Sequence, residues 1–210
     1  LEDLRVHLEA WGSEVVVANH NAPDQVVLSG RTDAIEAVEA RLADEGIEAR
    51  RLPVATAFHS DIVAGAGAGL AEFLANMDFG PAKLPVFANT TAAVYPADAD
   101  AARTRLAEQL SQPVRFVEMV EAMYAAGTRT FVEVGPGSVL SGLVKRILND
   151  RPHRAVALDR KSRGGFVSFL EGLAALVADG RGLDLAALWR DHAAPSNPMD
   201  RPKPDRKSTR

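Results

Sequence analysis

The chain has 210 residues, 47% of them hydrophobic and 25% charged, and a formal net charge of -4, which predicts one or two soluble globular domains. Without cysteine, disulfides, thiolate metal sites and cysteine nucleophiles are excluded. No run approaches the ~20 apolar residues that cross a bilayer, and the slight acidity gives no reason to expect nucleic-acid binding. The opening Leu1-Glu2-Asp3-Leu4-Arg5 has no basic-then-apolar pattern, so no secretory signal is predicted; the lack of an initiating Met reads as a piece of a longer polypeptide. A cytoplasmic setting is expected.

In chain order, Leu1, Leu4 and Leu8 share one face of a helix over 1–10. Val15-Val16-Val17 marks a strand over 14–19, and Asn21-Ala22-Pro23-Asp24 is turn chemistry. Gln25 to Ser29 is the next strand. Thr32 is expected to cap a helix over 33–44 that stops at Gly46. Residues 47–54 read as a returning strand. The order α-β-β-α-β matches a ferredoxin-like unit lacking its first strand. That strand would be central, so its loss leaves neighbouring backbone groups unpaired.

Helices are predicted over 61–76, 101–110, 116–126, 139–148 and 165–178, and strands over 84–89, 130–134 and 156–158. Gly65, Gly67 and Gly69 each weaken the first of these helices by about 1 kcal/mol. The alternation implies an α/β layered domain. Four prolines at 195, 198, 202 and 204 mark the tail as a solvated linker. The expected division is 1–55 small subdomain, 56–190 larger unit, and 191–210 linker.

Two segments carry candidate chemistry. Ala57-Phe58-His59-Ser60 puts a histidine just past an apolar strand. Alone, such a residue reads either as a structural imidazole bonded to backbone or as a general base, since imidazole exchanges a proton near neutral pH. Glu133-Val134-Gly135-Pro136-Gly137-Ser138-Val139 runs a strand through a glycine turn into a helix. No Gly-Lys-Ser/Thr follows it, and no Gly-x-Gly-x-x-Gly occurs, so a phosphate loop is rejected. Met119 and Met123 read as core, His20 as surface, and His7, His153 and His192 show no metal-ligand spacing.

Together with Gln109-Leu110-x-x-Pro113-Val114-x-Phe116 and Asn19-x-Asn21-x-Pro23-x-Gln25-Val26-Val27, these segments resemble the malonyl-CoA:acyl-carrier-protein transacylase family, including acyltransferase domains of polyketide and polyunsaturated fatty acid synthases. The resemblance covers residues 1 to 190, with the motifs in family order. It implies a partial α/β-hydrolase-like acyltransferase core with an inserted ferredoxin-like small subdomain. His59 would be the catalytic base, oriented by the backbone carbonyl of Gln109, whose side chain should matter less than its backbone position. Phe58 would screen the substrate α-carbon in favour of malonyl. Asn21 and Val139 would line the acyl path. Thr56 stands where the multidomain malonyl pattern has His, which weakens the specificity assignment but not the base.

The family's nucleophile elbow, Gly-His-Ser-x-Gly, is absent from the sequence. The serine, the oxyanion glutamine and the carboxylate-binding arginine are therefore expected upstream, and the chain by itself is expected to fold poorly and transfer nothing. The resemblance implies no bound cofactor, malonyl-CoA as substrate, and an acyl carrier protein with its phosphopantetheine as partner, beside adjacent synthase domains. Two alternatives stay open: a non-catalytic carrier-protein docking fragment, and a patatin-like hydrolase, which would use a Ser-Asp dyad without a histidine base.

Overall fold

The computed structural model describes residues 2–53, 59–60 and 63–190. Helix α1 (Glu2–Ala10) leads into strand β1 (Val16–Ala22), which pairs antiparallel with β2 (Gln25–Ser29). Helix α2 (Thr32–Asp44) lies with α1 on one face of this hairpin. Leu8, Val15, Val38 and Leu42 form the buried cluster between them, with Val17 and Leu28 packed against it. Val17 and Leu28 are cross-strand partners, so the period-2 alternation aims both at the helices.

The expected turn is shorter than predicted: Asn21 and Ala22 extend β1, and only Pro23 and Asp24 separate the strands. The register shifts between His20 and Ala22, placing Asn21 at the irregularity. Thr32 is not the cap of α2 but its first residue; Arg31 holds the cap position without a side-chain cap bond.

Residues 47–53 do not form the predicted returning strand. Ile47 and Leu52 are 42% and 48% exposed. A strand needs a neighbour to take its hydrogen bonds, and among the described residues nothing pairs with this segment or with the outer edge of β2.

Helix α3 (Ala64–Ala75) packs on α4 (Ala99–Glu108), whose first turn is capped by the Asp98 carboxylate accepting from Ala101 N at 2.8 Å. Between them the expected strand over 84–89 shrinks to β3 (Phe87–Ala88), paired with an unpredicted β4 (Ala93–Val94). Two-residue β5 (Val114–Arg115), also unpredicted, joins β1 in parallel, aligning Asn19 with Val114 and His20 with Arg115. The first sheet thus has the order β2-β1-β5 and ties the N-terminal hairpin to the later segment.

Helix α5 (Phe116–Ala125), strand β6 (Thr130–Pro136), helix α6 (Val139–Leu148), strand β7 (Arg154–Asp159) and helix α7 (Gly165–Ala178) complete the alternation. Strands β6 and β7 are parallel, with α6 as the crossover. The apolar face of α6 buries Val144, Ile147 and Leu148 against Val120 of α5 and Ala155 of β7. A short 3₁₀ turn (Leu185–Trp189) closes the described chain. The linker predicted over 191–210 lies outside the described residues. Among the described residues, no helix is long and apolar enough to cross a membrane.

Candidate active site

His59 sits beyond the irregular 47–53 segment with φ of 58°, a left-handed conformation that costs most residues energy and in which histidine is one of the enriched exceptions. The loop between α4 and β5 holds it there. The backbone N–H of His59 donates to Leu110 O at 3.1 Å. Its ring Nδ1 lies 3.1 Å from Gln109 O and 3.0 Å from Gln112 O. Both neighbours are carbonyl oxygens and can only accept, so Nδ1 carries the hydrogen. In a neutral imidazole that leaves the lone pair on Nε2. The two carbonyls fix the ring orientation and leave one defined basic nitrogen, as an aspartate does for histidine in a serine protease triad.

The loop is shaped by its own backbone. Gln109 ends α4, its N–H bonded to Leu106 O at 3.3 Å; Ser111 N and Gln112 N donate back to Glu108 O at 3.1 and 3.0 Å. The Gln109 side chain is also engaged: Tyr95 OH donates to its Oε1 at 3.3 Å. Gln112 and Tyr95 were not among the sequence-derived site residues. Neither carries a motif; the fold of the loop brings Gln112 to His59, and the β3–β4 hairpin brings Tyr95 to the Gln109 side chain.

His59 also lines an open cleft of about 2060 Å³. Its walls include all of β2 and residues 47–52; Leu4, His7, Ile35, Val38 and Leu42 come from α1 and α2. Arg146 of α6 reaches the same space, and its guanidinium binds the Asp24 carboxylate and donates to Gln25 Oε1 at 2.7 Å. That pairing holds the Asp24 carboxyl below its ordinary value.

The other sequence candidates disperse. Phe58 and Thr56 lie outside the described residues. Asn21 is partly buried on β1 and is not among the cleft-lining residues, although Asn19 is. Val139 opens α6 at 70% exposure, away from the cleft wall. His20 is not a surface residue: its side chain is 14% exposed and Nδ1 lies 3.2 Å from Glu118 Oε2. Among the described residues no three His, Asp or Glu side chains group as metal ligands.

The glycine turn at the end of β6 is a structural device of its own. Gly135 and Gly137 have φ of 147° and 110°, and Gly137 N donates to Asp159 O at 2.6 Å, tying the turn to the end of β7. The Glu133 carboxylate then accepts from Ser141 N at 2.8 Å and Leu140 N at 3.2 Å, capping the first turn of α6 from outside the helix. Burial pushes this carboxyl up, but the hydrogen bonds from Ser141, Leu140 and Val139 outweigh it and hold it below the usual glutamate value.

The comparisons agree with this architecture. The malonyl CoA-acyl carrier protein transacylase of Bacillus subtilis is 41% identical over 138 residues, 65% of this chain and 43% of the relative. Among solved structures, the acyltransferase domain from the second module of the salinomycin polyketide synthase matches with a TM-score of 0.79 at 30% identity, over 92% of this chain and 47% of that one. The malonyl CoA-acyl carrier protein transacylase of Clostridium perfringens matches with a TM-score of 0.76 at 28% identity, over 85% and 55%. The chain therefore spans about half the length, or less, of these relatives. The acyl transferase domain model matches residues 2–179, and the chain belongs to the acyl transferase domain family.

Proposed function

We propose that this chain is the base-bearing part of a cytoplasmic acyltransferase that moves malonyl from coenzyme A to the phosphopantetheine thiol of an acyl carrier protein, in fatty acid or polyketide assembly beside other synthase domains. The observation that carries this is the tautomer of His59. With Nδ1–H shared between Gln109 O and Gln112 O, Nε2 is the nitrogen available to a reacting hydroxyl.

The chemistry is two acyl transfers of ping-pong type. Nε2 takes the proton of a serine hydroxyl as its oxygen attacks the malonyl thioester carbonyl. The tetrahedral intermediate collapses, the C–S bond breaks, and the imidazolium returns the proton to the departing coenzyme A sulfur. The second transfer runs the same steps in reverse with the carrier thiol as nucleophile, and frees the serine. The serine, with its oxyanion donors, would be supplied by polypeptide outside these 210 residues. His59 is base and acid, the Gln109 carbonyl orients it, Phe58 screens the α-carbon, and Asn21 and Val139, which lie off the cleft beside β2, would border an acyl path completed by the polypeptide that supplies the serine. The enzyme would need no bound cofactor.

We also read the N-terminal unit as a ferredoxin-like subdomain without its first strand, followed by part of an α/β-hydrolase-like core. Supporting this are the order α1-β1-β2-α2, the edge of β2 that has no partner among the described residues, and the cleft between that edge and residues 47–52. A strand laid there would give both neighbours their missing partner.

The test is malonyl labelling of a longer polypeptide that carries this chain together with an in-frame Gly-His-Ser-x-Gly segment. The wild type should form a malonyl ester and His59→Ala should not. Labelling of the mutant at the wild-type rate would exclude His59 as the base and favour a Ser-Asp hydrolase.

A further inference from the structure

We propose that Tyr95 is a positioning residue for His59, acting through the side chain of Gln109. This rests on His59 being the base, as above, and adds a residue that no sequence motif marks.

Gln109 faces two ways. Its backbone carbonyl takes the Nδ1–H of His59 at 3.1 Å, while its side-chain Oε1 takes the hydroxyl hydrogen of Tyr95 at 3.3 Å. The residue lies where α4 has ended and β5 has not begun, so no helix or sheet ladder fixes its carbonyl. Glu108 O anchors the far side of the loop through Ser111 N and Gln112 N. Tyr95 anchors the near side. It follows directly on β4, and its own N–H donates to Val86 O at 2.7 Å, so the phenol projects from a fixed hairpin.

Burial raises the phenol above its ordinary range, with Arg105 acting weakly the other way, which keeps the hydroxyl a proton donor. The chain of contacts is therefore hairpin, Tyr95, Gln109, His59. Rotation of the Gln109 peptide would remove one of the two acceptors that hold the ring hydrogen on Nδ1. The Gln109 side chain then contributes as well as the backbone carbonyl, through the hydroxyl it accepts from.

The experiment uses the longer acyltransferase polypeptide with ¹⁵N-labelled histidine, the His59 signals being assigned by their loss in His59→Gln. In the wild type the His59 nitrogens should report the Nδ1–H tautomer. Tyr95→Phe, which removes only the hydroxyl, should move them toward a mixture of tautomers. It should also lower kcat about three- to tenfold, the worth of one partly buried hydrogen bond, with KM within about twofold. Gln109→Leu should do the same, Gln109→Glu should stay near wild type because it keeps an acceptor for Tyr95, and the Tyr95→Phe, Gln109→Leu double variant should be no worse than either single one.

Unchanged His59 nitrogen shifts in Tyr95→Phe, additive losses in the double variant, or a change in KM alone would overturn the positioning role. The tautomer is read whether or not malonyl labelling occurs. Failure of the wild type to label would count against the proposed activity, not against Tyr95.

Discussion

Arg146 on α6 and Gln25 on β2 stand 121 residues apart in sequence, and the Arg146 guanidinium donates to Gln25 Oε1 at 2.7 Å. With the Asp24 carboxylate as second acceptor, this guanidinium pins the tip of the β1–β2 hairpin to the helix that follows the glycine turn. The side chains are exposed enough that solvent screens the ion pair, and by itself it contributes little to stability. Its effect is on geometry. Arg146→Ala should leave the melting temperature nearly unchanged but speed amide hydrogen exchange across β1 and β2. Arg146→Lys should fall between, since an ammonium lacks the planar fork that reaches both acceptors. Equal exchange in all three proteins would show that the hairpin is held by other contacts.

The Glu133 cap makes α6 acid-sensitive. Its carboxyl titrates below the ordinary glutamate value of 4.5 in the folded state. A depressed folded value means that the stabilisation is fully present above about pH 4.5 and is lost as pH falls through the lower, folded value. Glu133→Gln should reduce stability at neutral pH and flatten the acid limb of the stability profile below pH 4.5. Parallel acid limbs in denaturant melts of the two proteins would sink this assignment.

Close packing of α7 on β7 depends on Gly172. A Cβ there would lie 2.6 Å from Leu158 Cδ2, 3.4 Å from Val156 Cγ1 and 3.5 Å from Ala157 O. The leucine methyl can swing aside, and alanine gains about 1 kcal/mol of helix propensity over glycine, so Gly172→Ala should be near neutral. Gly172→Leu meets the strand backbone and should cost about 1–3 kcal/mol. At about 2–4 °C per kcal/mol for a chain of this size, thermal melts resolve the two. A leucine variant as stable as the alanine one would mean that α7 is free to shift outward.

Phe58 carries the proposed choice of acyl group. Replacing it with serine should let methylmalonyl-CoA compete better by about tenfold, the low end of what one methyl group is worth to an apolar pocket. Competition labelling with both thioesters in the longer polypeptide measures it. An unchanged ratio would move the selectivity to residues other than Phe58.

Much of the molecule was determined by the amino-acid sequence alone, wherever local forces suffice. Helices α6 and α7 begin and end where their apolar periodicity and flanking glycines and polar residues placed them. Strand β2 is bounded as its Val26-Val27-Leu28 run implied. The segment around His59 was legible for a different reason, its side-chain order matching a family pattern.

What only the tertiary structure decided depends on partners distant in the chain. Residues 47–53 have strand composition, but composition does not supply hydrogen bonds, and with no neighbouring strand among the described residues they stay irregular. Two-residue β5 has too few residues to show a period and exists because β1 lies beside it. The proton on Nδ1 of His59 is set by carbonyls 50 and 53 residues away, and backbone oxygens leave no mark on side-chain identity. Sequence can name the imidazole; which of its nitrogens keeps a free lone pair follows from where the folded loop aims its oxygens.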